Sequence, residues 1–150
     1  QNWLPGKVLI DDLMALDGKE KIVDNVRIAF QTPISVKWNK EKEEYTEICP
    51  YTFEDALIFT NLELFRQDDL KKMGTITTIA NLLKKYTSAV DLQKAIFAKL
   101  ESKGCFKKAD FAISLLYKKD FYEIAAPKYI QEGLEWMKKC LDTNGISDGK

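Results

Sequence analysis

The sequence predicts a mostly α-helical protein of the α+β class, with a short N-terminal segment that contains strands and about five helices after it. Runs of β-branched and aromatic residues occur before residue 50, whereas apolar residues recur every three or four positions from Thr52 onward. The length of 150 residues fits one domain of common size. We therefore expect residues 1–50 to be a strand-containing region and residues 51–150 a helical region of one compact unit.

The N-terminal region is irregular and contains two predicted strands. LPGKVLIDDLMAL is a short apolar segment that Asp17-Gly18 closes with a turn. VRIAFQ is a β-branched and aromatic run of strand length, and ISVKW predicts a second strand. The charged stretch NKEKEEYTE is expected to be an exposed connection.

Five helices are predicted in the remainder of the chain. The first begins at Thr52, which resembles a capping box together with Asp55, and ends near Phe65. The second covers about residues 68–86.

The last three helices carry clear start or stop signals. Ser88 caps the third helix and Gly104 stops it, the fourth is KKADFAISLLYKK, and Pro127 suits the first position of the last, APKYIQEGLEWMKKCL. The predicted apolar sides are Phe53, Leu57 and Leu64 in the first helix, Leu92, Ile96 and Leu100 in the third, Ala109, Ala112, Ile113 and Leu116 in the fourth, and Ile130, Leu134, Met137 and Leu141 in the last.

Composition excludes several classes of site. The chain contains no histidine, which removes Ser-His and Cys-His nucleophile activation from these residues. Its three cysteines form no CxxC pair, so we expect neither a disulfide framework nor a zinc site, but a reducing cytoplasm. No apolar run approaches the ~20 residues of a membrane-spanning helix. The absence of an initiator Met suggests a piece of a longer chain, here called the parent protein.

Charge is uneven although the formal net charge is zero. Residues 84–119 carry nine lysines and three acidic residues, a balance of +6, and the remainder of the chain sums to −6. Lysines at this density are typical of solvated helix faces, and a surface that faces phosphate is the alternative.

Two positions are candidates for chemistry. Glu54 and Asp55 stand in a first helical turn, where carboxylates favourably meet the helix dipole, so they are either helix punctuation or part of a site. Lys128 stands at the start of the last helix, where a cation opposes the dipole. Its side chain is therefore either paired with an acid or a phosphate, or extended into water.

Five segments together resemble a known family. WLPGKVLIDDLMAL, VRIAFQ, YTFEDALIFTN, KKADFAISLLY and APKYIQEGLEWMKKCL occur in the order and approximate spacing of the C-terminal part of overcoming-lysogenization-defect (OLD) family proteins. Members of this family are ATP-dependent endonucleases with an N-terminal ABC-type ATPase and a C-terminal Toprim nuclease domain. The resemblance spans most of the chain, and its most specific pieces are the FEDA helix start and the PKYIQEGLEW helix.

The resemblance implies a fragment of a metal-dependent DNA endonuclease that acts in defence against phage or other foreign DNA. VRIAFQ would be a late Toprim strand, and the helices would be the family's C-terminal extension. Glu54 would be a supplementary acid near a Mg²⁺ or Mn²⁺ centre, and Lys128 would contact the scissile phosphate. The family's main metal ligands, a Glu and an Asp-x-Asp, are not in this sequence, so we expect the fragment to be inactive alone.

The implied partners are DNA, bound through the parent protein, and a second copy of the chain, with no membrane. ATP would be bound only by a separate domain of the parent protein. The alternative is a non-catalytic helical module for dimerisation or partner docking, which the lack of a complete site in these residues favours.

Overall fold

A computed structural model describes residues 10–38, 44–67, 74–102, 106–117 and 121–143. These residues are mostly helical with two small antiparallel sheets, which confirms the predicted α+β class. The helices are α1 (Ile10–Ala15), α2 (Phe53–Thr60), α3 (Leu62–Phe65), α4 (Gly74–Lys85), α5 (Ala89–Glu101), α6 (Lys108–Leu116) and α7 (Lys128–Thr143), and the strands are β1 (Ile22–Val23), β2 (Val26–Arg27), β3 (Ile34–Lys37) and β4 (Tyr45–Ile48). A short 3₁₀ helix spans Phe121–Glu123.

The chain divides into two compact units. The terminal unit consists of the described residues up to Thr32 together with those from Lys128 onward, and it holds α1, β1, β2 and α7. The central unit is Pro33–Pro127, with β3, β4 and the helices α2 to α6. The sequence boundary expected near residue 50 stays a prediction.

The turn that closes the N-terminal apolar segment forms as predicted, after α1. The carboxylate of Asp17 accepts hydrogen bonds from the backbone N–H groups of Glu20 at 3.0 Å and Lys19 at 2.7 Å, and Glu20 Oε2 accepts one from Asp17 N–H at 2.8 Å. The backbone N–H of Glu20, and to a smaller extent that of Lys19, lowers the pKa of Asp17 below its ordinary value.

The strand predicted over VRIAFQ is much shorter in the structure. Val26 and Arg27 pair with Val23 and Ile22 in an antiparallel hairpin. Asp24 adopts a left-handed φ of 52° in the turn, a conformation that Asp tolerates better than most residues. Residues 28–31 are not in a strand, because strand propensity needs a partner strand and β1 offers only two residues.

In the central unit, β3 confirms the strand predicted over ISVKW, and it pairs antiparallel with β4 in the register Ile34 to Ile48. The expected exposed connection NKEKEEYTE was wrong at its end, because Tyr45–Ile48 form β4. The side chains of β4 alternate, with Tyr45 and Glu47 exposed and Thr46 and Ile48 less exposed. The charged residues before the strand hide this alternation in the sequence. Residues 39–43 of that stretch lie outside the described ranges.

Helix boundaries follow the predicted signals closely. The first predicted helix ends at Phe65 as expected but is interrupted at Asn61, between α2 and α3. Ser88 caps α5, since its Oγ accepts from the N–H of Asp91 at 3.4 Å. The predicted stop at Gly104 and residues 68–73 of the second predicted helix lie outside the described ranges.

The hydrophobic core of the central unit lies where α2 to α6 meet. Its largest fully buried apolar side chains are Phe65, Ile58, Ile76, Ile79, Leu92 and Ile96. The apolar side predicted for the third helix, now α5, is buried as expected. The apolar side predicted for the first helix is only partly correct, because Phe53 is exposed.

The apolar side predicted for α6 was wrong. Phe111 and Leu115 face the core, while the predicted small and aliphatic side chains are mostly exposed. Phe111 stacks on Phe65 at 6.0 Å between ring centroids and lies 5.2 Å from the ring of Phe106. An aromatic ring buries far more area than alanine, so the ring determines which side of α6 turns inward.

The last helix, α7, begins at Lys128, so Pro127 precedes its first residue instead of occupying it. Its predicted apolar side is present, but none of its residues is fully buried, and Leu134, Met137 and Leu141 are exposed. Within the described part of the chain, no helix has the length and apolar character needed to span a membrane.

Candidate functional site

The start of α2 separates the two neighbouring carboxylates. Asp55 is fully buried, and it completes a capping box with Thr52. Its Oδ1 accepts from Thr52 N–H at 2.6 Å and from Thr52 Oγ1 at 3.0 Å, and its Oδ2 accepts from Tyr51 N–H at 2.9 Å. Asp55 therefore uses both oxygens to hold the helix start, as the sequence predicted.

Glu54 points to a different partner, on α6. The ammonium of Lys108 lies 3.1 Å from Glu54 Oε1 and 3.2 Å from Oε2, so one lysine contacts both oxygens. The Glu54 side chain is only 13% exposed, whereas that of Lys108 is 59% exposed. The pair joins α2 to α6, and Lys108 is the member that is more exposed to water.

An apolar cavity of about 350 Å³ lies beside this pair in the central unit. Phe53, Leu57, Phe111, Ala112, Leu115, Leu116 and Ile124 line it together with Glu54 and Lys108. The Glu54 carboxylate thus stands next to apolar surface, with the Lys108 ammonium as its cationic neighbour. A second cavity of about 450 Å³, beside β3 and α3, is more polar and is not lined by Glu54.

The described residues alone do not fit a metal ion. Among them, no group of three or more His, Cys, Asp or Glu side chains could hold one. A hard divalent cation needs several oxygen ligands, and Glu54 supplies one carboxylate that already contacts Lys108. Glu54 by itself is therefore not a metal centre.

Lys128 lies in the terminal unit, at the first residue of α7. Its ammonium is 3.9 Å from Glu132 Oε1, and its side chain is 68% exposed. The other oxygen of Glu132, Oε2, lies 3.5 Å from Arg27 Nη2 on β2. The structure therefore pairs Lys128 with an acid, which is one of the options the sequence left open.

The two predicted site residues belong to different units, Glu54 to the central unit and Lys128 to the terminal unit. Sequence reasoning missed their partners. Glu132 follows Lys128 by four helical positions, a spacing that could have revealed it. Lys108 and Arg27 are 54 and 105 residues away from the acids they contact, and no spacing rule connects them.

At the start of α6, two lysines of the 84–119 region are paired with acids. Lys107 lies 3.8 Å from Asp110, and Lys108 contacts Glu54. These pairs reduce the positive charge that a phosphate would meet at the start of α6. A phosphate-binding role for the region stays a prediction.

Cys49 lies at the end of β4 and is held near α5. The side-chain amide of buried Gln93 donates a hydrogen bond to the Cys49 carbonyl oxygen. Burial, and after it the charge of Asp55, raises the pKa of the Cys49 thiol. A thiol kept protonated is a poor nucleophile, so the geometry favours a packing role for Cys49.

Comparison with known proteins gives one informative relative. Over 135 residues the chain is 29% identical to Endonuclease GajA of Bacillus cereus (strain HuB5-5). The match covers 88% of this chain but only 18% of the relative's length. No protein-family profile matches the chain, and no solved structure matches it significantly.

Proposed function

We propose that the chain is part of a metal-dependent DNA endonuclease of the OLD type and carries the C-terminal extension of its Toprim domain. The observation that supports this most is the similarity to an endonuclease along 88% of the chain. Three of the segments that suggested the family, YTFEDALIFTN, KKADFAISLLY and APKYIQEGLEWMKKCL, lie at α2, α6 and α7. The proposal includes a role in defence against foreign DNA and an ATPase in a separate domain.

In this proposal Lys128 contacts the scissile phosphate, and Glu54 is a supplementary acid beside a Mg²⁺ or Mn²⁺ ion. Because the described residues do not form a metal site, the main ligands belong to other parts of the parent protein. Bound there, the ion would activate water and neutralise charge on the phosphate. Lys128 is the better supported of the two residues, since its side chain is 68% exposed and an anion can reach it.

Plasmid nicking in Mg²⁺ and in Mn²⁺ tests the proposal, with the parent protein, its Lys128→Ala and Glu54→Ala variants, and the 150-residue chain alone. We expect nicking by the parent protein, a loss of about 10²–10³-fold in the Lys128→Ala variant, and none by the isolated chain. Unchanged nicking by both variants would remove the two residues from the site. No nicking by the parent protein would overturn the endonuclease proposal.

A second candidate function is a helical docking or dimerisation module. It is favoured by the exposed apolar side of α7, where Leu134, Met137 and Leu141 stand at 54%, 48% and 43% exposure. Sedimentation of the chain separates the two functions. A dimer that Met137→Glu dissociates supports the module, whereas a monomer at all concentrations that binds no partner counts against it.

A further inference from the structure

Helix energetics do not explain why Lys128 stands at the start of α7. A cation in the first turn opposes the helix dipole, and α7, whose residues 128–143 are all described, has no acidic residue in that turn. The pair with Glu132 compensates little, because Lys before Glu is the less favourable order on a helix and Lys128 is largely exposed. Positive charge thus remains at the N-terminal end of α7.

Glu132 is shared between two cations. Its Oε2 lies 3.5 Å from Arg27 Nη2, and its Oε1 lies 3.9 Å from Lys128 Nζ. A single carboxylate cannot neutralise both an ammonium and a guanidinium, so the cluster keeps a net positive charge. This excess suits a ligand with a single negative charge, such as a phosphodiester.

The two cations differ in access to such a ligand. The Arg27 side chain is 12% exposed, whereas that of Lys128 is 68% exposed. Arg27 therefore orients the Glu132 carboxylate from the inside of the terminal unit. The other oxygen of Glu132 faces Lys128, and of the two cations Lys128 is the one exposed to solvent.

We propose that Glu132, held by Arg27, is the positioning residue for Lys128. The carboxylate restricts the directions that the lysine side chain samples, so that its ammonium meets a non-bridging oxygen of the DNA phosphodiester. This inference rests on the proposed function, since it takes Lys128 as the phosphate contact. It adds Glu132 and Arg27 to the residues that determine the nicking rate.

Single-turnover nicking by the parent protein tests this role. The variants are Glu132→Gln, Lys128→Ala, their combination, and Glu135→Gln as a control that removes a carboxylate from the same helix at an exposed position. The substituted amide at position 132 keeps an oxygen that accepts from Arg27. Binding to a labelled DNA duplex in EDTA gives the affinity and the binding-competent fraction, to which the rates are normalised.

We expect Glu132→Gln to slow the nicking step about two- to fivefold, as an exposed ion pair of this kind allows. DNA affinity should not weaken, because no positive charge is lost. The combined variant should nick as slowly as Lys128→Ala, because Glu132 acts through Lys128. The Glu135→Gln control should nick at the wild-type rate.

Other results would overturn the inference in distinguishable ways. If Lys128→Ala is slow and Glu132→Gln is not, Glu132 has no positioning role, but the proposed function stands. Equal slowing by Glu132→Gln with and without Lys128 means that Glu132 acts independently of the lysine, which also overturns the inference. If Lys128→Ala nicks normally, or the parent protein does not nick, the role of Lys128 or the endonuclease proposal fails, and this inference fails with it.

Discussion

The sharpest test of the α2 start compares two isosteric substitutions in one helical turn, Asp55→Asn and Glu54→Gln. Both remove one negative charge and conserve shape. Asp55 is fully buried and accepts three hydrogen bonds, from Tyr51 N–H and from the N–H and hydroxyl of Thr52. Glu54 has the more exposed Lys108 as its ionic partner.

The expected magnitude follows from these contacts. In Asp55→Asn an NH2 group meets the Tyr51 N–H, which removes one charge-assisted hydrogen bond of about 1.5–3 kcal/mol. The two bonds from Thr52 become bonds to a neutral oxygen, a loss of about 1 kcal/mol each. The free energy of unfolding should therefore fall by about 3.5–5 kcal/mol. Glu54→Gln should cost at most about 1 kcal/mol, since water solvates Lys108 once the pair is lost.

Urea denaturation of both variants and the wild type at neutral pH measures this difference. The far-ultraviolet circular dichroism signal is suitable because helices dominate the described residues. A loss below about 1 kcal/mol for Asp55→Asn, or equal losses in the two variants, would refute the reasoning. It would mean that the capping box contributes little to stability.

Three further predictions concern stability. Asn61→Ala should lower the free energy of unfolding by about 2–4 kcal/mol, because the Asn61 amide donates to Ala125 O at 2.8 Å and accepts from Ala125 N–H at 2.8 Å. A loss below about 1 kcal/mol on urea denaturation would contradict this. Gly133→Ala should raise the free energy of unfolding by about 0.5–1 kcal/mol, because alanine favours the helix more than glycine does and the added Cβ would lie an ordinary 3.5 Å from Ala29 Cβ. A lower melting temperature would contradict this. The pKa of the Cys49 thiol is raised above its ordinary 9.0 in the folded state. The difference in the free energy of unfolding between the wild type and Cys49→Ala should therefore be constant below about pH 9, and the wild type should lose stability as pH rises through the folded-state pKa. Urea titrations at about pH 7 and about pH 10 check this, and a constant difference would argue against it.

Local signals in the sequence were sufficient for the starts of α2 and α5. Thr52 with Asp55 and Ser88 identify two helix starts because capping depends on residues three positions apart. The strand Ile34–Lys37 was also found from its own composition. Such features need no knowledge of distant parts of the chain.

Features that depend on distant partners were missed. β4 was hidden by its charged neighbours, and the strand predicted over VRIAFQ was too long because its partner β1 has two residues. The inward side of α6 was set by the packing of Phe111 on Phe65, which periodicity alone does not predict. Lys108, the partner of Glu54, and Arg27, the second partner of Glu132, were missed for the same reason, whereas Glu132 lies only four positions from Lys128.

Each proposed site residue is held by an opposite charge within its own unit, Glu54 by Lys108 and Lys128 by Glu132. This pairing does not exclude a functional role. The Lys128–Glu132 pair is exposed on both sides, at 68% and 36%, so separating its charges costs only about 0.2–1 kcal/mol, less than a tenfold change in an equilibrium constant. A buried pair would be several times harder to separate. The Lys128–Glu132 pair is therefore free to exchange one partner for a phosphate, whereas Glu54, at 13% exposure, depends more on Lys108.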